Sequence, residues 1–180
     1  MSTSKISPQR FRPSWDDYFM AIARIVATRA SCDRLDAGAV LVKNKRIVST
    51  GYNGAPQGLP HCDDAGHLLE DGHCVRTIHG EHNAILQAAV IGGASTEGTT
   101  LYTLYSPCIH CAKYVVAAGV TRIVIWKLYR NAVVVDYLKE AGLEVVLYKP
   151  AAGWNEYLAQ VFADDVADRY EKKVELSIDK

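Results

Sequence analysis

Behind Ser14-Trp15-Asp16-Asp17, the apolar residues Trp15, Phe19, Ile22 and Val26 recur at helical spacing, and the opening has the form of a capping box. An amphipathic helix is therefore expected over residues 15–31. Two Val- and Ile-rich runs, 37–43 and 46–51, flank a short Lys/Asn turn and read as a hairpin. Regularity then stops. Residues 52–78 hold two prolines, four glycines, three histidines and two cysteines without apolar periodicity. A loop of that length inside a compact domain is functional or held by something other than a core.

Periodicity resumes at His79. Helices are expected over 79–91, 108–118 and 132–141, stopped by Gly92-Gly93, Gly119 and Gly142. Short buried strands are expected between them, at 99–104, 122–126 and 144–148. Helices alternating with strands imply an α/β layer with parallel pairing, placed after the antiparallel hairpin. Trp154, Tyr157, Leu158, Val161 and Phe162 mark one face of a last helix. The expected organisation is a loose arm over 1–13, a catalytic domain over 14–148 with an insertion at 52–78, and a helical C-terminal segment over 149–180.

Composition narrows the function more than the fold. The chain has 180 residues, and its 20 Lys+Arg balance 20 Asp+Glu. A neutral total removes the field of a general nucleic-acid or anionic-membrane binder, which points to a small partner and away from stable nucleic-acid binding. No apolar run approaches the ~18 residues of a membrane span, and no apolar stretch follows the start, so a secretory signal is not expected. Five cysteines, an odd number, fit a reducing cytoplasmic compartment in which thiols serve metals or catalysis.

His79, Cys108 and Cys111 stand out together. The two cysteines follow Pro107 at the start of an expected helix, three apart, so both sulfurs can face one point. The exposed N–H groups of a helix start favour thiolates there. One imidazole and two thiolates make a three-ligand zinc site whose fourth position is left for water. Glu81, two residues after His79, reaches that water as its base. The alternatives are a structural zinc knuckle and a C-x-x-C redox pair beside an unrelated histidine. Against both stands the full pattern, His79-Gly80-Glu81 with Pro107-Cys108-Ile109-His110-Cys111, the H-x-E…P-C-x-x-C signature of zinc nucleobase deaminases.

Beyond that signature, the segments WDDYFM, GAVLVKNKRI, GYNGAPQGLPHC, HCVRTIHGEHNAI and SPCIHCAK resemble the deoxycytidylate (dCMP) deaminases of the cytidine-deaminase superfamily. The likeness covers roughly residues 14–148. It implies a three-layer α/β/α fold with a central five-stranded mixed sheet of order 2-1-3-4-5. It implies zinc-dependent hydrolysis of dCMP to dUMP and ammonia, supplying dUMP for dTMP synthesis, with Glu81 moving protons between water, N3 and the departing amine. The alternatives are a deaminase of cytidine, guanine or tRNA adenosine, and a non-catalytic zinc-stabilised interaction module. The unligated carboxylate of Glu81 separates a catalytic site from that module.

The same resemblance implies roles for further residues. Asn53 would hold a sugar hydroxyl, where the bland reading is an Asn-Gly turn. Tyr129 would wall the nucleotide pocket. Gly80 stands where relatives carry Ala; it keeps the backbone N–H offered to the pyrimidine carbonyl but adds freedom, so looser ligand geometry and a modest rate effect are expected. Cys32, Cys62, Cys74 and either His67 or His73 would form a second, structural zinc site that stands in for the core residues 52–78 lack. A homo-oligomer, commonly a hexamer, is implied, activated by dCTP and inhibited by dTTP through Tyr52, Asn53 and Gly54. Arg29, Arg34, Lys127 and Arg130 are open alternatives for the 5′-phosphate.

Overall fold

The central strands are buried on both faces. In the computed structural model, which describes residues 11–92, 95–129 and 133–163, helix α1 (Trp15–Ala27) is followed by the hairpin β1 (Gly38–Lys43) and β2 (Arg46–Tyr52). After the insertion come α3 (Gly80–Ile91), β5 (Thr100–Tyr105), α4 (Ile109–Ala117), β6 (Arg122–Lys127), α5 (Val133–Glu140) and β7 (Glu144–Leu147). The insertion holds the single-turn helix α2 (Cys62–Ala65) and two-residue strands β3 (Leu69–Glu70) and β4 (His73–Cys74). The main sheet runs β2-β1-β5-β6-β7, the expected order once the two insertion strands are counted. β1 pairs antiparallel with β2 and β5, while β5, β6 and β7 are parallel.

Alternation along the strands builds a core on each face. Leu41, Leu101, Ile123 and Ile125 pack with Ala84, Ala112, Val115 and Leu138 of α3, α4 and α5. The intervening Val40, Val42, Tyr102, Leu104 and Val124 pack with Phe19, Met20 and Ala23 of α1. Each fully buried aliphatic side chain stabilises the fold by about 1.5–3 kcal/mol relative to exposure. One sheet thus separates α1 from the three helices that carry or support the site. A part-buried network ties α1 to the sheet: Arg122 donates from Nη1 and Nη2 to the two Asp16 oxygens at 2.9 and 2.8 Å, and the Tyr102 hydroxyl donates to Asp16 at 2.9 Å. On the next residue the Tyr148 hydroxyl donates to buried Asp17 at 2.6 Å.

Two expectations change. The first helix ends at Ala27 and not at residue 31, because Thr28, Arg29 and Ala30 bond back to Ile25, Val26 and Ala27 in tight turns and Ser31 N–H donates to Asn53 O. That turn delivers Cys32 to the insertion. The insertion is also more ordered than its sequence pattern suggests. Its ends are closed by reciprocal backbone bonds between Gly54 and Ile78, at 3.3 and 2.9 Å.

The chain divides into two compact units, Trp15–Lys149 and a second made of Met1–Ser14 with Pro150–Lys180. In the second unit, α6 (Trp154–Ala163) presents Trp154 to Phe11, with ring centroids 5.8 Å apart, and Phe11 also lies 5.1 Å from Tyr157. Most of the expected N-terminal arm, Arg130 and the tail beyond residue 163 lie outside the described residues.

Candidate active site

Two helix starts meet above the sheet. β2 approaches α3 so closely that a Cβ on Gly51 would collide with Ala84 N and Gly80 O, and only glycine permits that approach. A Cβ on Gly80 would lie 3.3 Å from Ala37 O and Gly51 O, so Gly80 is packed between neighbouring strands rather than left loose at the helix start. His79 and Cys108 occupy the N-cap positions of α3 and α4, each with extended backbone. Cys111 follows one turn along α4.

The resulting geometry suits a tetrahedral ion. His79 Nδ1 lies 3.6 Å from Cys108 Sγ and 3.4 Å from Cys111 Sγ. Ordinary Zn–N and Zn–S bond lengths at a tetrahedral angle give an N···S edge of about 3.6 Å. The three ligand atoms group within 4.8 Å of one another, and this donor set fits zinc. The thiols share charge unequally. The hydrogen bond from Cys111, then His79, pulls Cys108 down to about 3 against the desolvation that opposes it. The same bond and burial push Cys111 up. Hydrogen bonding to Cys108, followed by the Coulomb field of Glu81, raises His79 against its own desolvation.

Glu81 is buried at 5% exposure, one of few acidic side chains inside the fold. Desolvation raises its carboxyl above the usual range, while its own backbone N–H, the His79 charge and the Thr103 hydroxyl oppose that rise. A carboxyl whose hold on a proton is strengthened by burial, beside a metal-compatible triad, can take a proton and return it. His79, Cys108 and Glu81 open into a cleft of about 330 Å³ also lined by Leu35, Asn53, Tyr105, Ser106 and Tyr129.

A second group of donors reaches the same cleft through Cys32 and Cys74. Ligand atoms of Cys32, Cys62, His67 and Cys74 all lie within 4.8 Å of one another. Cys32 Sγ is 3.7 Å from His67 Nδ1, and the Cys62 and Cys74 sulfurs are 3.5 Å apart and unbonded. These are again tetrahedral edge lengths, and four donors fill a tetrahedron. His67 Nε2 lies 3.2 Å from Asp33 Oδ1, the carboxylate partner that orients a ligating imidazole. Burial pushes Cys62 up to about 12, with Cys74 and Cys32 adding to the rise. For Cys74, desolvation is outweighed by donors led by the Arg76 backbone, which bring it down to about 6. Of the two histidines left open, His67 enters the group and His73 does not; His73 lines the cleft.

A profile of the cytidine and deoxycytidylate deaminase zinc-binding region matches residues 13–127. The chain belongs to the cytidine and deoxycytidylate deaminase family. Among its relatives, ComE operon protein 2 of Bacillus subtilis is 41% identical over 135 residues, covering 74% of this chain and 71% of that protein. The deoxycytidylate deaminase of Mycobacterium phage D29 is 37% identical, covering 63% of this chain and 94% of its own. Fission-yeast deoxycytidylate deaminase is 33% identical, and the match spans 47% of its length. Among solved structures, the dCMP deaminase of cyanophage S-TIM5 in complex with dCMP and dUMP superposes with a TM-score of 0.67 at 31% identity, over 77% of this chain and 100% of that one. The family's α/β fold with a five-stranded mixed sheet is therefore the fold found here.

Within this deaminase framework the other expected residues take distinct places. Asn53 lines the cleft, and its amide is held: Oδ1 accepts from Ala37 N–H at 2.8 Å and Nδ2 donates to Leu35 O at 2.6 Å. Tyr129 lines the cleft where its N–H donates to Ser106 Oγ at 2.7 Å. Gly54 closes the base of the insertion, with the Tyr52 ring packed beside it. Thr103 and Ser106 are site residues that sequence reading passed over. Both are buried polar positions in or just after a strand whose other inward residues are apolar, and only that mismatch could have marked them.

Proposed function

We propose that this chain catalyses the hydrolytic deamination of dCMP, with water, to dUMP and ammonia. The observation that carries this reading is the buried Glu81 carboxyl beside a donor set with only three ligands, both facing one cleft. The family membership and the cyanophage relative, whose structure holds dCMP and dUMP, support the choice of base and nucleotide. His79, Cys108 and Cys111 would hold the catalytic zinc. When bound there, the ion supplies a Lewis acid that acidifies the attacking water.

The protein's own groups do the rest. Glu81 accepts a proton from the attacking water as oxygen approaches C4. It then returns a proton to N3, and a further proton transfer to the amine lets ammonia leave as the C4–N bond breaks. The Gly80 backbone N–H is the donor toward the pyrimidine carbonyl. Asn53, fixed by Ala37 and Leu35, offers its amide to the sugar. Tyr129 walls the nucleotide. Cys32, Cys62, His67 and Cys74 form a structural zinc site that closes the insertion.

Regulation by dCTP and dTTP acting at Tyr52, Asn53 and Gly54, within a homo-oligomer such as a hexamer, belongs to the same reading. The direct link from this segment to the insertion, through the Gly54–Ile78 bridge, supports it. A sigmoidal dCMP rate curve that dCTP makes hyperbolic is the expected result. No helix among the described residues is long and apolar enough to cross a membrane. Ammonia release measured across dCMP, dCTP, deoxycytidine, CMP and short RNA tests the substrate. Turnover confined to dCMP supports the proposal, and activity confined to RNA or a non-nucleotide rejects it.

A further inference from the structure

We propose that Ser106 is a positioning residue for the nucleotide wall. Its hydroxyl clamps the backbone of Tyr129, so that the wall and the Cys108 edge of the cleft are held as one piece. The proposal rests on the dCMP reading above, which takes Tyr129 as that wall, and adds what sets its place.

Ser106 follows β5 directly and stands two residues before Cys108, with Pro107 between them. Its N–H donates to Lys127 O at 2.9 Å, which carries the β5–β6 ladder one rung past the Tyr105–Lys127 pair. A regular parallel ladder would next join the Tyr129 N–H to the Ser106 carbonyl. The side chain takes that rung instead. Ser106 Oγ accepts from the Tyr129 N–H at 2.7 Å and, 3.4 Å from Tyr129 O, is placed to donate back to the same residue.

Burial makes this clamp matter. Ser106 is 2% exposed, so without its hydroxyl the Tyr129 N–H would face a site that water does not reach freely. Lys127 and Leu128, which lead into Tyr129, are exposed, so the apolar packing of β6 ends before the wall begins. The Tyr105 ring then meets the Tyr129 ring edge-on, with centroids 6.4 Å apart. Pro107 restricts the backbone on both sides of itself. A ring pinned to Ser106 is therefore also pinned relative to Cys108, and Ser106, Cys108 and Tyr129 all line the cleft. The hydroxyl thus sets the width of the slot that receives the nucleotide.

The test is calorimetric titration of the full-length zinc-loaded protein with dUMP, beside dCMP kinetics and zinc content. Ser106→Ala should keep its zinc, weaken dUMP binding and raise KM for dCMP about 5- to 20-fold, the range for an unsatisfied buried donor. Because a wall acts on ground state and transition state alike, kcat should fall by no more than about 3-fold. Tyr129→Ala should weaken dUMP at least as much, and Ser106→Ala added to it should cost less than about 2-fold more, since the hydroxyl then has no wall to hold. Amide exchange reads the clamp in wild type alone, where the Tyr129 N–H should exchange more slowly than an open-chain amide. Unchanged dUMP affinity in Ser106→Ala, a loss confined to kcat, loss of zinc, additive losses in the double variant, or open-chain exchange at Tyr129 overturns the proposal. Wild type that releases no ammonia from dCMP but shows the dUMP coupling overturns the deamination reading and leaves the role of Ser106. Normal release with additive losses overturns only the role of Ser106.

Discussion

The two sulfur-bearing clusters, each lining one cleft with two of its residues, are built in opposite ways. The His79–Cys108–Cys111 group has three donors, stands on two helix starts packed against the sheet, and keeps the buried carboxyl of Glu81 beside it. The Cys32–Cys62–His67–Cys74 group has four donors, stands on an insertion with exposed leucines, and has a carboxylate only behind His67, at Asp33. Three donors on a rigid frame leave a position for chemistry. Four donors on a weak frame close the coordination and supply order the apolar residues do not. On the proposed reading, ligand number and the stiffness of the support, more than ligand type, would separate a reaction centre from a clip.

The sharpest way to break that contrast is to remove one ligand from the catalytic group. Cys108→Ala should abolish measurable ammonia release and lower zinc content by one per chain, leaving the second cluster loaded. Removal of the proton carrier comes next. Glu81→Gln should keep both ions and slow turnover by about 10²- to 10⁴-fold, the usual contribution of a general acid–base group, read by steady-state kinetics with metal analysis. At the second cluster the effect should move from rate to order. Cys62→Ala should lower unfolding stability by about 2–4 kcal/mol, the size expected for loss of a tightly bound ion. Hydrogen exchange should speed up across residues 55–77 while the central strands keep their protection.

The smallest expected effect lies away from both clusters and serves as their control. Arg122 holds the Asp16 carboxyl below its ordinary 3.8, against the desolvation that would raise it. A carboxyl depressed by folding adds stability that is complete above its unfolded value and is lost as pH falls below 3.8 toward the folded one. Asp16→Asn should therefore cost about 1–2 kcal/mol near neutral pH. Its melting curve should converge on that of wild type as the buffer is taken well below 3.8. Ammonia release per zinc-loaded chain should be unchanged.

How much of this was legible in the sequence followed from how local each feature is. The strands were readable as short Val- and Ile-rich runs between glycine-stopped helices, whereas their order came from the family resemblance. The proposed zinc triad and its proton carrier were readable because Glu81 lies two residues after His79 and Cys111 lies one turn past Cys108. The second cluster was harder: His67 and His73 are equivalent in composition, and only the folded turn brings the first to Cys32 and turns the second to the cleft. The Asp16–Arg122 pair spans 106 residues, and neither local pattern hints at it. The packing around Gly80 was not legible because its close neighbours, Ala37 O just before β1 and Gly51 O in β2, are distant in sequence.

One measurement bears on the central claim most directly. The zinc-loaded protein is incubated with dCMP in water enriched in oxygen-18, and the product is followed by mass spectrometry with ammonia measured in the same sample. The account predicts dUMP carrying one solvent oxygen, equimolar ammonia, and the loss of both in Glu81→Ala although that variant keeps its zinc. Unlabelled product, no ammonia from the fully loaded protein, or a Glu81→Ala variant that retains more than about a tenth of the rate, a barrier change under ~1.4 kcal/mol, would contradict it.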